Sequence, residues 1–148
     1  QIAAGFQTAS LLWMKKHEPA LYEKTETVLL PKDYLRYRLT SCLSTDVTDA
    51  AGTLALNVRQ AAWSDELIRT LGLRRSLYPK IYLPQDFAGE VTAAASAETG
   101  LKAGTKVFHG GADQVMQAIG NGIIAPGQGI RHHRHRRTGI RAHRLCDL

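Results

Sequence analysis

The residues best suited to chemistry lie in one short stretch, from Gly110 to Gln114. Gly110 and Gly111 allow a tight turn or a close approach of a ligand to the backbone. A single carboxylate, Asp113, follows, with the amide of Gln114 beside it. The amino end of a helix favours an ionised carboxylate, which a proton acceptor needs. Capping of that helix is the alternative role for Asp113, because aspartate is common at helix starts.

A strand and a helix flank this stretch. Residues 106–108 suit the end of a buried strand, and apolar residues recur at helical spacing from 115 to 119. In α/β proteins, ligands bind where a strand ends and a helix begins. Further upstream, helical patterns at 32–39, 65–71 and 91–99 alternate with short strand-like runs. The sequence therefore predicts an α/β fold.

Three further predictions concern single side chains. Arg36 and Arg38 are expected on the solvated face of the helix at 32–39, with a phosphate clamp as the alternative. Trp13 is expected in the core. A polar cluster at 45–49 contains Asp46 and Asp49, which satisfy local turns. A metal site there would need more converging oxygens than this spacing provides.

The composition is that of a soluble globular protein. The chain has 148 residues, 44% of them hydrophobic and 22% charged. No apolar run reaches the ~18 residues of a membrane span, and the amino terminus lacks the pattern of a secretory signal. Cys42 and Cys146 form no metal or redox motif. We therefore expect a cytoplasmic protein with no membrane partner.

The basic charge is concentrated in the tail. Residues 131–148 hold six arginines and one aspartate, whereas the other 130 residues hold thirteen basic and twelve acidic side chains. The tail has no aromatic residues and no folded element that could recognise bases. It would therefore bind nucleic acid only nonspecifically, and added salt would abolish that binding. Its four histidines match no ordered metal site, so we expect no dedicated metal. The tail is predicted to be disordered.

Several blocks, taken together, resemble the FGGY family of carbohydrate kinases, and the xylulokinases most. They are LLWMKKHEP (11–19), VLLPKDYLRYRLT (28–40), STDVTDAAGT (44–53), WSDELI (63–68), TGLKAGTKV (99–107) and GGADQ (110–114), in the family's order. The resemblance implies an actin-like (ribonuclease H-like) ATPase domain, with helices packed on a small sheet. Residues 1–128 would be the second half of the family's N-terminal domain.

The resemblance also implies an activity. Family members transfer the γ-phosphoryl group of ATP, with Mg²⁺, to a hydroxyl of a sugar or polyol. By matching positions, the resemblance implies that Asp113 is the catalytic base and that Gln114 hydrogen-bonds the sugar. It also implies that Gly110 and Gly111 bring the backbone close to the active-site cleft. D-xylulose is the implied sugar, converted to D-xylulose 5-phosphate. Glycerol, ribulose and gluconate kinases stay open, because the residues that select the sugar are mostly upstream. The full-length protein could be a homodimer.

Parts of the family's active site have no match in this sequence, and this affects the activity expected of the chain. The family's amino-terminal phosphate loop and most of the ATP site have no counterpart here, so no residue is assigned to the cofactor and the chain alone is expected to be inactive. As half of a domain, it should leave apolar faces around Trp13, Leu35 and the strand before Asp113 without partners. The alternative to an enzyme is a noncatalytic remnant of the kinase domain that carries a nonspecific basic arm.

Residues 129–148 stand where the family continues with a Gly/Thr-rich phosphate-binding segment. The chain reads IRHHRHRRTG from residue 130. With suitable codons, a shift of one nucleotide converts this to Ser-Val-Thr-Ile-Gly-Thr-Gly-Gly-Gln, which is the family's type of motif. We therefore interpret the tail as a frameshifted reading of that segment.

Overall fold

A computed structural model describes residues 4–125, 127–131 and 139–141. The chain divides into an amino-terminal unit, residues 1–110, and a carboxyl-terminal unit, residues 111–148. Within the described ranges, no helix combines the length and the apolar composition that crossing a membrane requires.

The amino-terminal unit contains six α-helices among its described residues. They are α1 (Gln7–His17), α2 (Pro19–Lys24), α3 (Pro31–Thr40), α4 (Val47–Ala51), α5 (Asp65–Thr70) and α6 (Ala93–Thr99), and a 3₁₀ turn covers Arg75–Leu77. Proline opens α2 and α3, where its missing N–H costs nothing. The side chains of Ser64 and Thr92 accept backbone N–H groups at the starts of α5 and α6. The three helices predicted from the sequence are confirmed, with small shifts at their ends.

The strands of this unit form three separate pairs. Strand β1 (Ser44–Asp46) pairs in parallel with β4 (Lys80–Tyr82), and β2 (Leu56–Asn57) pairs antiparallel with β3 (Ala62–Trp63). Strand β5 (Phe87–Glu90) pairs antiparallel with β6 (Lys106–Phe108), with a register shift between Phe87 and Gly89. The mixed fold and the strand at 106–108 are confirmed. Within the described residues, the strands lie in small two-stranded sheets.

The core of the amino-terminal unit is assembled from short elements and the loops between them. Its buried members are Leu11, Tyr22, Ala50, Ala55, Trp63, Ile68, Leu73, Leu77 and Tyr78. The rings of Trp63 and Tyr78 lie 4.9 Å apart, and the indole N–H of Trp63 donates to the Pro79 carbonyl at 2.7 Å. A buried indole thus keeps its one polar group satisfied.

Several large apolar side chains remain exposed. Trp13 is 58% exposed, so the prediction that it lies in the core is wrong. Helix α1 buries Thr8 and Leu11, whereas Trp13 stacks on His17 with ring centroids 5.0 Å apart. Leu35 is 63% exposed and Phe108 is 52% exposed, so β6 is not a buried strand. The expectation that Trp13, Leu35 and this strand would leave apolar faces uncovered is confirmed.

The carboxyl-terminal unit contains α7 (Asp113–Gly120) and a strand pair, β7 (Gly129–Arg131) with β8 (Gly139–Arg141). Ile130 and Ile140 lie opposite each other in this antiparallel pair. These strands lie within the stretch that the sequence predicts to be a disordered tail; most of that stretch lies outside the described residues, so disorder of the tail stays a prediction. The four tail histidines and Cys146 lie outside the described residues.

Candidate functional site

Asp113 is the first residue of α7, and Ala112 stands at the N-cap position without a side-chain cap. The Asp113 side chain therefore does not fill the capping position that was its alternative role. Its Oδ1 accepts the backbone N–H of Gln114 at 2.6 Å, and both residues are exposed. This carboxylate is thus exposed to solvent and open to a ligand.

Gly110 ends the amino-terminal unit, whereas Gly111, Asp113 and Gln114 belong to the carboxyl-terminal unit. Gly110 has φ +68°, a conformation that residues with a side chain rarely adopt. A Cβ built on Gly110 would meet no atom within 4 Å, so the backbone conformation and not crowding calls for glycine here. Its N–H donates to the Pro84 carbonyl at 2.9 Å.

The residue before this turn, His109, was not singled out by sequence reasoning. It is 2% exposed, and its ring stacks on Tyr82 with centroids 4.4 Å apart. Its Nδ1 lies 3.0 Å from the Asp86 carbonyl oxygen and its Nε2 lies 3.0 Å from Ser44 Oγ. A single histidine at the end of a strand gives no pattern in the sequence. Its position directly before two glycines was the one available signal.

A buried network of charges in the amino-terminal unit surrounds His109. The guanidinium of Arg36 donates to Asp33 Oδ1 at 2.9 Å, to the His109 carbonyl at 3.1 Å, and to Ser44. The ammonium of Lys32 donates to the same carbonyl at 3.3 Å and to Asp33 at 3.0 Å. Arg36 is only 3% exposed, so the prediction of a solvated face is wrong for this residue. The physical reason is the carboxylate of Asp33, one helical turn earlier, which compensates the buried charge.

Arg38, two residues further along α3, behaves as predicted. Its side chain is 53% exposed and pairs at 3.2 Å with Glu98, whose side chain is 65% exposed. The sequence signal that separates the two arginines is the acidic residue at i−3, which only Arg36 has.

Lys32 is also the centre of a carboxylate group formed by Asp33, Asp46 and Asp49. Its Nζ lies 3.0, 2.8 and 3.3 Å from oxygens of the three carboxylates, respectively. Burial alone would lower the pKa of Lys32, but hydrogen bonds and charges from Asp46 and Asp33 outweigh it and raise the pKa. Burial likewise opposes ionisation of Asp46, yet bonds from Lys32 and Thr48 hold the pKa of Asp46 below its ordinary value.

Those three carboxylates are the set that a divalent cation could use among the described residues, since their oxygens lie within 4.8 Å of one another. The ammonium of Lys32 already bonds to all three and neutralises part of their charge. Burial raises the pKa of Asp49, which weakens it further as a metal ligand. The cluster therefore does not fit Mg²⁺, and Lys32 takes the place that a cation would have.

Comparisons with known proteins cover most of this chain. Residues 1–120 match the family model for the N-terminal domain of the FGGY family of carbohydrate kinases, a range that includes Gly110 to Gln114. A xylulose kinase of Bacillus subtilis (strain 168) is 40% identical over 128 residues, which are 86% of this chain and 26% of that protein. A xylulose kinase structure from Rhodospirillum rubrum has a TM-score of 0.78 and 30% identity, covering 84% of this chain and 26% of that one.

A gluconate kinase structure from Lactobacillus acidophilus is similar as well, with a TM-score of 0.75 and 29% identity over 80% of this chain and 24% of that one. The chain thus spans about a quarter of the length of the proteins it matches.

Proposed function

Because the chain belongs to the FGGY family of carbohydrate kinases, we propose that it is the part of an ATP-dependent D-xylulose kinase that carries the catalytic base. Its fold is a segment of the actin-like ATPase fold of the sugar kinases it resembles. The observation that carries the proposal is the exposed carboxylate of Asp113 at the start of α7, two residues after Gly111 and inside the matched range.

In the proposed reaction, Asp113 takes the proton of the sugar hydroxyl as that oxygen attacks the γ-phosphorus of ATP. The new O–P bond forms while the bond from the γ-phosphorus to the β–γ bridging oxygen breaks, which releases ADP. A carboxylate orients the hydroxyl and accepts its proton, and phosphoryl transfer depends mostly on such positioning and on charge stabilisation. The amide of Gln114 hydrogen-bonds the sugar, and Gly110 and Gly111 let the backbone come close.

The choice of D-xylulose rests on the relatives. The Bacillus subtilis protein at 40% identity is a xylulose kinase, and so is the Rhodospirillum rubrum protein. The gluconate kinase has a similar TM-score, so gluconate is the second candidate, followed by glycerol and ribulose. We further propose that ATP and Mg²⁺ are bound mainly by parts of the kinase that this chain does not contain, and that the chain alone is inactive.

Catalysis can be tested in a graft kinase, defined as the Bacillus subtilis relative in which the 128 matched residues are replaced by those of this chain. We expect ATP-dependent formation of D-xylulose 5-phosphate by the graft kinase and none by the isolated 148-residue chain. A graft kinase with native circular dichroism and D-xylulose affinity but no phosphorylation would contradict the proposal.

The tail is tested by sequencing the DNA across codons 126–138 and beyond. Our proposal that residues 129–148 are a frameshifted reading predicts that a one-base correction restores the Gly/Thr-rich segment. The corrected full-length product is then assayed with D-xylulose, gluconate, glycerol and ribulose. An unambiguous in-frame sequence would refute the frameshift, and a preference for another sugar would refute D-xylulose.

A further inference from the structure

A groove on the amino-terminal unit lies between α1, α2 and the segment that follows α2. We call it the α1–α2 groove, and it is lined by Gln7, Ser10, Leu11, Met14, Leu21, Thr25, Thr27, Val28 and Leu29. Its volume is about 350 Å³. Five of these side chains are apolar and the other four are neutral, so none of the described residues that line the groove carries a charge. The groove therefore suits an apolar occupant and not an ion.

Leu21 lines the α1–α2 groove and is nevertheless 56% exposed. The next residue of α2, Tyr22, is only 2% exposed. Arg74 donates to the Tyr22 carbonyl and lies 5.0 Å from the centroid of its ring, and the backbone N–H of Arg74 donates to the Tyr22 hydroxyl at 3.1 Å. Helix α2 is thus held to the unit through Tyr22 while it presents a leucine to solvent. A fixed, exposed leucine beside an apolar groove is typical of a contact surface.

The groove adjoins a second exposed apolar area. Ser10 lines both the α1–α2 groove and a smaller cavity that Trp13 also lines, and Trp13 is 58% exposed. An apolar cavity of about 150 Å³ holds a benzene molecule, so the α1–α2 groove has room for about two large apolar side chains. This capacity fits a docked helix, whose apolar residues recur three or four positions apart on one face.

The partner that covers the groove must supply an apolar, uncharged surface. Two copies of this chain related by a two-fold axis would place groove against groove, which fills neither of them. The rest of a kinase is the other source, because the match takes up only 26% of the Bacillus subtilis relative and 26% of the Rhodospirillum rubrum relative. About three quarters of such a kinase thus lies outside the match and can supply the occupant.

We propose that the α1–α2 groove is the docking surface for an apolar helix of the kinase that lies outside residues 1–148. This inference rests on the proposed function, in which the chain is one part of a larger kinase. The contact buries Leu21 and fills the groove, so it attaches α1 and α2 to the rest of the kinase. None of the proposed site residues, from Gly110 to Gln114, lines the groove.

The test measures how fast a cysteine in the groove reacts with a maleimide. Leu21→Cys is made in the 148-residue chain, at submicromolar concentration, and in the graft kinase. Val58→Cys is the matched control, because Val58 is 63% exposed, lies between β2 and β3, and does not line the groove. Mass spectrometry of the peptide that contains each substitution keeps Cys42 separate. We expect Leu21→Cys to react about tenfold more slowly in the graft kinase than in the chain, and Val58→Cys to react equally fast in both.

A charge placed in the groove gives a second readout. Leu21→Glu introduces a carboxylate that the docked helix would have to desolvate. We expect this variant to lower the melting temperature of the graft kinase by about 5 °C, and that of the 148-residue chain by less than about 1 °C. Val58→Glu should change neither melting temperature.

Equal reaction rates of Leu21→Cys in the chain and in the graft kinase would overturn the inference. It is also overturned if the isolated chain at tens of micromolar protects Leu21→Cys as strongly as the graft kinase does, because a second copy would then cover the groove. The two proposals fail separately. A folded graft kinase that protects Leu21→Cys but phosphorylates no sugar would refute only the proposed function. An active graft kinase with an unprotected Leu21→Cys would refute only the docking surface.

Discussion

Replacing Arg36 with methionine tests whether the buried network holds α3 to the strands. The substitution removes a guanidinium that bonds to Asp33, to Ser44 and to the His109 carbonyl. Arg38→Met is the matched control, because Arg38 lies on the same helix and its exposed side chain interacts only near the surface, with Glu98 and Tyr34.

The structure sets the expected magnitudes. Removing one member of a buried ion pair costs about 3–5 kcal/mol of unfolding free energy, and Lys32 still contacts Asp33 and the His109 carbonyl afterwards. We therefore expect about 3 kcal/mol for Arg36→Met. An exposed pair contributes about 0–1 kcal/mol, so Arg38→Met should cost about 0.5 kcal/mol.

The assay is urea unfolding of the 148-residue chain at submicromolar concentration, followed by tryptophan fluorescence. Trp63 is 7% exposed and reports the core, whereas Trp13 is already 58% exposed in the folded chain. With a slope of about 2 kcal/mol per molar urea, Arg36→Met should lower the midpoint by about 1.5 M and Arg38→Met by about 0.25 M. Equal small shifts for both variants would refute the reasoning.

Three other perturbations follow from the same structure. Burial, together with the charges of Arg36 and Lys32, lowers the pKa of His109 below its ordinary 6.5, so the unfolded chain binds the proton more readily. The urea midpoint should therefore fall as the pH drops through 6.5, and His109→Asn should remove that part of the pH dependence; an unchanged pH profile would contradict this. Lys32→Ala should leave Asp46 and Asp49 without their ion pair, while Asp33 stays paired with Arg36, so millimolar Ca²⁺ should raise the melting temperature of this variant but not of the wild type, and equal responses would contradict the account. Trp13→Lys and Leu35→Lys should reduce self-association and binding of an apolar dye by the isolated chain at micromolar concentration, measured by sedimentation and fluorescence, whereas a wild-type chain that stays monomeric and binds no dye there would show that these faces need no cover.

Local signals in the sequence predicted the elements well. Helix α5 starts after the capping Ser64, and α6 ends at Gly100, which has φ +78°. Strand β6 and the start of α7 at Asp113 also lie where the sequence places them. These features depend on neighbours within four residues, which is the range that periodicity and capping rules cover.

Long-range contacts were beyond those rules. The burial of Arg36 depends on partners 8 and 73 positions away, Ser44 and His109. The acidic residue at i−3 distinguishes Arg36 from Arg38, but no pattern on α3 shows that Arg36 reaches Ser44 and His109. The exposure of Trp13 similarly depends on which face of α1 packs on the core, and α1 buries Leu11 instead.

The recognition of the candidate site came from the resemblance and not from the pattern alone. A carboxylate after two glycines is compatible with a helix cap, a base or neither. The matched range through residue 120 contains Asp113, and its exposed carboxylate lies at the start of α7, so the role of a base stays a proposal for which the position leaves room.

The central claim is tested most directly by the kcat of the graft kinase with Asp113→Asn. Asp65→Asn is the matched control, because Asp65 is also the exposed first residue of a helix and its loss should affect only a surface pair with Arg75. Our account predicts that Asp113→Asn lowers kcat at least a hundredfold, as expected for a general base, while KM for D-xylulose stays within about threefold. An Asp113→Asn enzyme whose kcat stays within about threefold of the Asp65→Asn control would contradict the account.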